Sequence, residues 1–141
     1  MIINPYLNFH GNTEEAFNFY KSVFGGEFSS VVRFSDMGSL DKIPDADKNK
    51  IMHIALPIGG NILMGTDTLD SMGQKLNQGD NFFLSVYGES KEEADKLHAA
   101  LSEGGTVFAP MKDEVWGDYF GMLKDKFGIQ WMVIFTNRAN S

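Results

Sequence analysis

The sequence contains no cysteine. That absence excludes disulfides, thiolate catalysis, Cys-based zinc sites and iron–sulfur clusters, and it fits a reducing compartment. Positive charge is also scarce. Twelve Lys and Arg stand against 19 Asp and Glu, a net charge of −7, which repels phosphate backbones and anionic membranes. Nucleic acid is therefore not an expected partner. No segment approaches the roughly 20 consecutive apolar residues that cross a bilayer, so no membrane is expected. The start, Met1-Ile2-Ile3-Asn4-Pro5, lacks the basic and apolar parts of a signal peptide, and the expectation is a cytoplasmic protein. What the chain does have is apolar bulk: 43% hydrophobic and 13% aromatic residues, with 12 Phe in 141 positions. That is enough to bury a core, in one globular domain or in two small units sharing one.

The order of patterns along the chain repeats. Tyr6 to His10 reads as a short strand closed by Gly11-Asn12, and Thr13-Glu14-Glu15-Ala16 as an N-cap with an acidic first turn. Ala16, Phe17, Phe19, Tyr20, Val23 and Phe24 follow at helical spacing, and Gly25-Gly26 ends the helix. A strand is expected over Glu27 to Phe34, a polar loop from Asp36 to Lys50, then strands over Ile51 to Ile58 and Asn61 to Gly65 joined at Gly59-Gly60. After a polar linker the grammar returns. Phe82 to Tyr87 is a strand, and Ser90-Lys91-Glu92-Glu93 caps a helix carrying Ala94, Leu97, His98 and Leu101. Gly104-Gly105 ends that helix, and three strands follow, over Thr106 to Phe108, Tyr119 to Leu123 and Ile129 to Phe135. The expected fold is α+β: two tandem βαβββ modules, residues 1–66 and 80–138, joined by a linker at 67–79 and packed as a single domain with a curled, cup-like mixed sheet.

This repeat, with Pro5-Tyr6-Leu7, Phe9, Gly11-Asn12, Glu15-Ala16, Phe19-Tyr20, Phe24-Gly25 and Met52-His53 early, and Trp116-Gly117, Asp125, Phe127-Gly128 and Trp131 late, resembles the vicinal oxygen chelate superfamily. That superfamily includes glyoxalases, extradiol dioxygenases and bleomycin or fosfomycin resistance proteins, and the resemblance is to its PhnB-like, glyoxalase-related branch. It implies sheets curled into an open cup that holds the active cavity, and a homodimer. Members that use a metal place a His, Gln or Glu on the first and last strand of each module. Carried over by position, those places fall at Pro5, Met64, Asn81 or Phe83, and Met132. These side chains do not suit Ni, Zn, Mn or Fe ions, so neither a metal nor another cofactor is expected. Without a metal, the shared chemistry of capturing vicinal oxygens has no visible basis. Sequences resembling this one are sometimes named ubiquinone-pathway methyltransferases. No G-x-G-x-x-G turn leads from a strand into a helix here, which speaks against a nucleotide-type cofactor.

The expected function is therefore small-molecule binding in a soft, aromatic, Met-rich cup. Its expected lining is Leu7, Phe9, Met64, Asn81, Phe83, Trp116, Phe120, Gln130 and Met132. Bleomycin-resistance members, which hold a cationic aromatic drug, offer the analogy for an acidic protein. The other reading is an enzyme, a lyase, isomerase or transferase, with His53 as general base, because imidazole titrates near neutral pH, and with Asn8, Asn81 or Gln130 orienting the substrate. For each residue a structural role stays open: His53 as a hydrogen-bonded core histidine, Trp116, Tyr119, Phe120 and Trp131 as core aromatics. His10 is expected at the rim, His98 on a solvated helix face, and the loop over residues 36–50 either as a solvated excursion or as a flap over the cup.

Overall fold

The computed structural model describes residues 1–37 and 43–136. Residues 38–42 of the expected loop, and 137 and 138 at the end of the expected second module, lie outside the described residues. The fold is α+β and consists of two tandem βαβββ modules. Two compact units divide between Asn77 and Gln78.

In the first unit, β1 (Tyr6–Phe9) is followed by α1 (Thr13–Phe24), β2 (Ser30–Arg33), β3 (Ile51–Ile58) and β4 (Asn61–Asp67). Their order in the sheet is β1-β4-β3-β2, with β1 parallel to β4 and the other pairs antiparallel. Thr13, Ala16, Phe17 and Tyr20 recur at helical spacing and are the buried stripe of α1. Phe17 meets Phe9 edge-on at 6.3 Å and Tyr20 at 5.6 Å. Each such fully buried apolar side chain contributes about 1.5–3 kcal/mol, so this ring cluster anchors the helix to the sheet. The helix start differs from the sequence reading. Thr13 is the first helical residue, and Asn12 before it makes no side-chain cap. The carboxylate of Asp67, at the end of β4, takes that role: Oδ1 accepts from Thr13 N at 3.0 Å and from Thr13 Oγ1 at 2.6 Å, and Oδ2 accepts from Ile51 N at 2.8 Å.

The second unit repeats the plan with β5 (Leu84–Tyr87), α2 (Lys91–Ser102), β6 (Thr106–Asp113), β7 (Asp118–Lys124) and β8 (Gln130–Thr136), ordered β5-β8-β7-β6. Ser90 caps α2 by accepting from Glu93 N at 3.0 Å. One boundary and one helix face differ from the sequence reading. β6 runs five residues past Phe108, through Pro110, which an edge strand tolerates because one side of it has no ladder partner. His98 is not on a solvated face. It completes the buried stripe Ala94, Leu97, His98 and Leu101 of α2, only 9% exposed, with its Nε2 at 3.1 Å from the Ala109 carbonyl. Its neighbours Asp95 and Lys96 suggested solvent, but the i, i+3, i+4, i+7 spacing decides which face is buried.

Carboxylates are held by cations at the periphery of the first unit. Arg33 Nη2 and Nη1 donate to Glu14 Oε2 and Oε1 at 2.6 and 3.0 Å, and these bonds hold the Glu14 carboxyl below its ordinary value of 4.5. Lys50, and then Ser71, lower Asp47 in the same way. A carboxyl lowered in the folded state stabilises the fold above its unfolded pKa, and that contribution is lost as pH falls through the folded value. Urea midpoints should therefore drop between neutral pH and about pH 3, and Glu14→Gln should flatten the drop by at most about 1 kcal/mol, because the pair is half exposed. An unchanged pH profile in that variant would contradict this assignment.

Candidate functional site

The two faces of the first sheet differ. A Cβ built on Gly65 would lie 2.5 Å from Phe17 Cε1, so Leu63, Gly65 and Asp67 of β4 face α1. Side chains alternate along a strand, which puts Ile62, Met64 and Thr66 on the opposite, open face. Register then fixes the neighbours. Tyr6 lies beside Met64, Asn8 beside Thr66, and Ala55 across from Met64. His53 and Val32 are paired on the same side. Leu7 and Phe9 point the other way and are 3% and 1% exposed.

That placement corrects two residues expected to line the cup: Leu7 and Phe9 belong to the core beneath α1. It corrects Pro5 as well, since the residues of β1 on the open face are Tyr6 and Asn8. Counting from the Gly11-Asn12 turn was one residue out of phase. The alternation Tyr6-Leu7-Asn8-Phe9-His10 already held the right phase, with apolar residues inward and polar residues outward.

One polar pair stands on the open face. The Tyr6 hydroxyl lies 2.9 Å from His53 Nδ1, with ring centroids 5.7 Å apart and tilted by 35°. Tyr6 is 45% exposed and His53 is half-buried. Partial burial raises the Tyr6 pKa, so the hydroxyl keeps its proton. Among the described residues, His53 Nε2 has no hydrogen-bond partner, and the paired strand positions around it carry no other titratable side chain on this face than Tyr6. Met64, Ala55 and Val32 give the pair apolar neighbours, and Asn8, Thr66 and Ser30 give it polar, uncharged ones. His10, by contrast, sits at the rim with Nε2 2.9 Å from Asp70 Oδ2, both exposed.

In the second unit a Cβ on Gly121 would meet His98 Cδ2 at 2.9 Å, so Gly121 faces α2 and Phe120 and Met122 face away. Met122 pairs with Met132, and Met132 with Ser85. Trp116, 61% exposed, packs edge-on against Phe120 at 5.9 Å and donates from Nε1 to Asp118 Oδ2 at 3.1 Å. Phe83 packs against Phe108 at 6.3 Å, and Asn81 is exposed. Gln130 shares the face of Met132 by register, but it is only 6% exposed and its Nε2 donates to the carbonyls of Asp80 and Phe82 at 3.1 and 2.7 Å, so its amide nitrogen is committed to the backbone rather than to a ligand. Trp131 is a core aromatic at 3% exposure, donating from Nε1 to Asp125 Oδ2 at 2.9 Å. Sequence reading missed the structural carboxylates Asp67 and Asp125, because nothing in their neighbours separates a buried acid from a solvated one.

A metal fits poorly. Among the described residues no three His, Asp or Glu side chains come together as a metal-holding group. The open-face residues of the outer strand pairs, Tyr6, Asn8, Met64 and Thr66 in one unit and Ser85 and Met132 in the other, do not form a donor set for the ions this fold holds. Among the described residues no helix is long and apolar enough to cross a membrane.

A family model described as 3-demethylubiquinone-9 3-methyltransferase matches residues 2–134. Protein YjdN of Escherichia coli is 28% identical over 141 residues, covering 94% of each chain. The crystal structure of protein PA1353 from Pseudomonas aeruginosa is 36% identical with a TM-score of 0.85, covering 96% of this chain and 98% of that one. The PhnB protein from Bacillus cereus is 27% identical with a TM-score of 0.76, covering 96% and 100%. A glyoxalase-related enzyme from Fulvimarina pelagi, 15% identical, shares the fold with a TM-score of 0.65 over 96% of this chain and 89% of that one.

Proposed function

The chain belongs to the PhnB-like family of the glyoxalase and bleomycin-resistance superfamily, the family whose model is described as 3-demethylubiquinone-9 3-methyltransferase, and from that premise we propose that it binds a small organic molecule without a metal. The ligand surface is the open face of the first sheet. The observation that carries this reading is the hydrogen-bonded Tyr6–His53 pair, set half-exposed among Met64, Ala55 and Val32. Apolar surface with a few convergent polar groups is the usual composition of a ligand site, and Met64 is a soft contact that adapts to ligand shape. Among the described residues this face carries no carboxylate, so the charge of −7 does not supply a cation trap at this place.

A second reading, a lyase, isomerase or transferase with His53 as general base, is favoured by one observation: Nε2 is available while Nδ1 is held by Tyr6. Among the described residues no glycine-rich turn leads from a strand into a helix, the usual cradle of a nucleotide-type cofactor, so nothing here favours methyl transfer.

The test is a titration of methyl-¹³C methionine protein with a set of small aromatic compounds, assigning Met64 from its leucine variant. Shifts concentrated at Met64 support the reading. Shifts confined to Met122 and Met132, or none at any methionine, would move or remove the site.

A further inference from the structure

We propose that the Tyr6–His53 pair receives a weakly acidic oxygen group, a carboxylic acid or an enol, carried by the apolar molecule that binds this face. The inference rests on the binding site proposed above and adds the chemical class of its ligand.

The donor count carries the argument. A neutral imidazole has one N–H and one lone pair, and a tyrosine hydroxyl can both donate and accept. If the hydroxyl donates to Nδ1, the outward groups are Nε2–H and the tyrosine oxygen's lone pair. If Nδ1–H donates to the hydroxyl oxygen, the outward groups are the Nε2 lone pair and the O–H. Either way the 2.9 Å bond leaves one donor and one acceptor facing the ligand, a match for a group that also has one of each.

An acid adds a step that other such groups lack. A carboxylic acid is already ionised near neutral pH, so a proton from solvent, or from the ligand itself where it is an enol, passes to the Nε2 lone pair, giving an imidazolium whose Nδ1–H donates to the Tyr6 oxygen. The resulting carboxylate or enolate then accepts two bonds, from Nε2–H and from the Tyr6 O–H. On release the proton returns to its source, solvent for a carboxylate and the ligand for an enol, so the cycle needs no other reactant. Charge-assisted hydrogen bonds are about twice as strong as neutral ones, which favours the acid over an ester or amide of the same shape.

The surroundings fit this use. Burial keeps the Tyr6 hydroxyl protonated and able to donate. On the four strands of this sheet, Tyr6, Asn8, Ser30, Val32, Ala55, Met64 and Thr66 are the described side chains nearest in register to His53, and none is charged. Arg33, on the same edge strand, is committed to Glu14 and to the Asn49 carbonyl. Among the described residues of these strands, no carboxylate of this face competes for the imidazolium, and no lysine or arginine of it competes for the anion.

Phenylacetate and methyl phenylacetate are the probes, measured by titration calorimetry in two buffers of different ionisation enthalpy. Phenylacetate should bind the full chain about tenfold more tightly than the ester, with net proton uptake from the buffer. Tyr6→Phe and His53→Gln, both at half-exposed positions, should each weaken phenylacetate by about tenfold and weaken it more than the ester, so that the preference for the acid is erased. If the ester binds as well as the acid, or if acid binding takes up no proton, the acid assignment falls while the site stands. If neither probe binds, the acid assignment and the site fall together.

Discussion

Asp67→Ala is expected to destabilise the first unit by about 3–5 kcal/mol, a large part of the 5–15 kcal/mol that holds a domain this size. Asp67 is 3% exposed, and its two oxygens accept from Thr13 N, Thr13 Oγ1 and Ile51 N. Truncation leaves the N-terminus of α1 and the first amide of β3 without acceptors inside the fold, where an unmet donor costs about 1–3 kcal/mol. It also removes an anion from the positive end of α1. Asp67→Asn should cost less but still measurably, because its amide nitrogen has to face one of the two donor sets. Asp70→Ala is the matched control: its carboxylate is exposed and, among the described residues, hydrogen-bonds exposed His10, and the expected change is within about 0.5 kcal/mol. Urea denaturation followed by circular dichroism checks all three. A loss below about 1 kcal/mol in Asp67→Ala would show that this carboxylate does not hold the helix to the sheet.

Gly105→Ala is expected to cost about 3 kcal/mol through steric overlap, at the upper end of overpacking penalties. A Cβ at this position would lie 2.1 Å from the Lys124 carbonyl oxygen and 3.0 Å from Asp125 Cα. Both atoms are backbone, held in the turn where Asp125 accepts from Phe127 N and Ile129 N at 2.8 and 3.1 Å. Neither can move aside as a flexible side chain would, so β6 and β7 would have to part where Thr106 pairs with Lys124. Gly60→Ala is the contrast. It sits in the β3–β4 turn with nothing within 4 Å of its Cβ and no positive φ, and it should be neutral or stabilising by up to about 1 kcal/mol through the unfolded chain. Equal effects at the two glycines would contradict the steric account.

Much of this structure was legible in the sequence. The repeat of strand, helix and three strands, with Glu14-Glu15-Ala16 echoed by Glu92-Glu93-Ala94, gave the α+β modules, and helical spacing located both helices. The phase of β1 was harder, because counting from a turn assumes no slip between strand and loop. A slip of one residue exchanges the faces of a strand, and that moved Pro5, Leu7 and Phe9 to the wrong side. The alternation of polar Tyr6, Asn8 and His10 with apolar Leu7 and Phe9 was the better guide. The Tyr6–His53 pair was out of reach for a different reason. The two residues are 47 positions apart and meet only through the combined registers of β1, β4 and β3, which local pattern does not encode. Buried polar groups were the other gap: His98 and Gln130 carry polar side chains, yet one packs under a strand and the other ties two carbonyls.

Crystals soaked with small aromatic acids test the central claim most directly. The account predicts a bound molecule on the open face of the first sheet, with an oxygen within hydrogen-bonding distance of Tyr6 Oη and His53 Nε2 and its ring against Met64. Molecules collecting only elsewhere, for instance against Trp116 and Phe120, with none at the Tyr6–His53 pair, would contradict it.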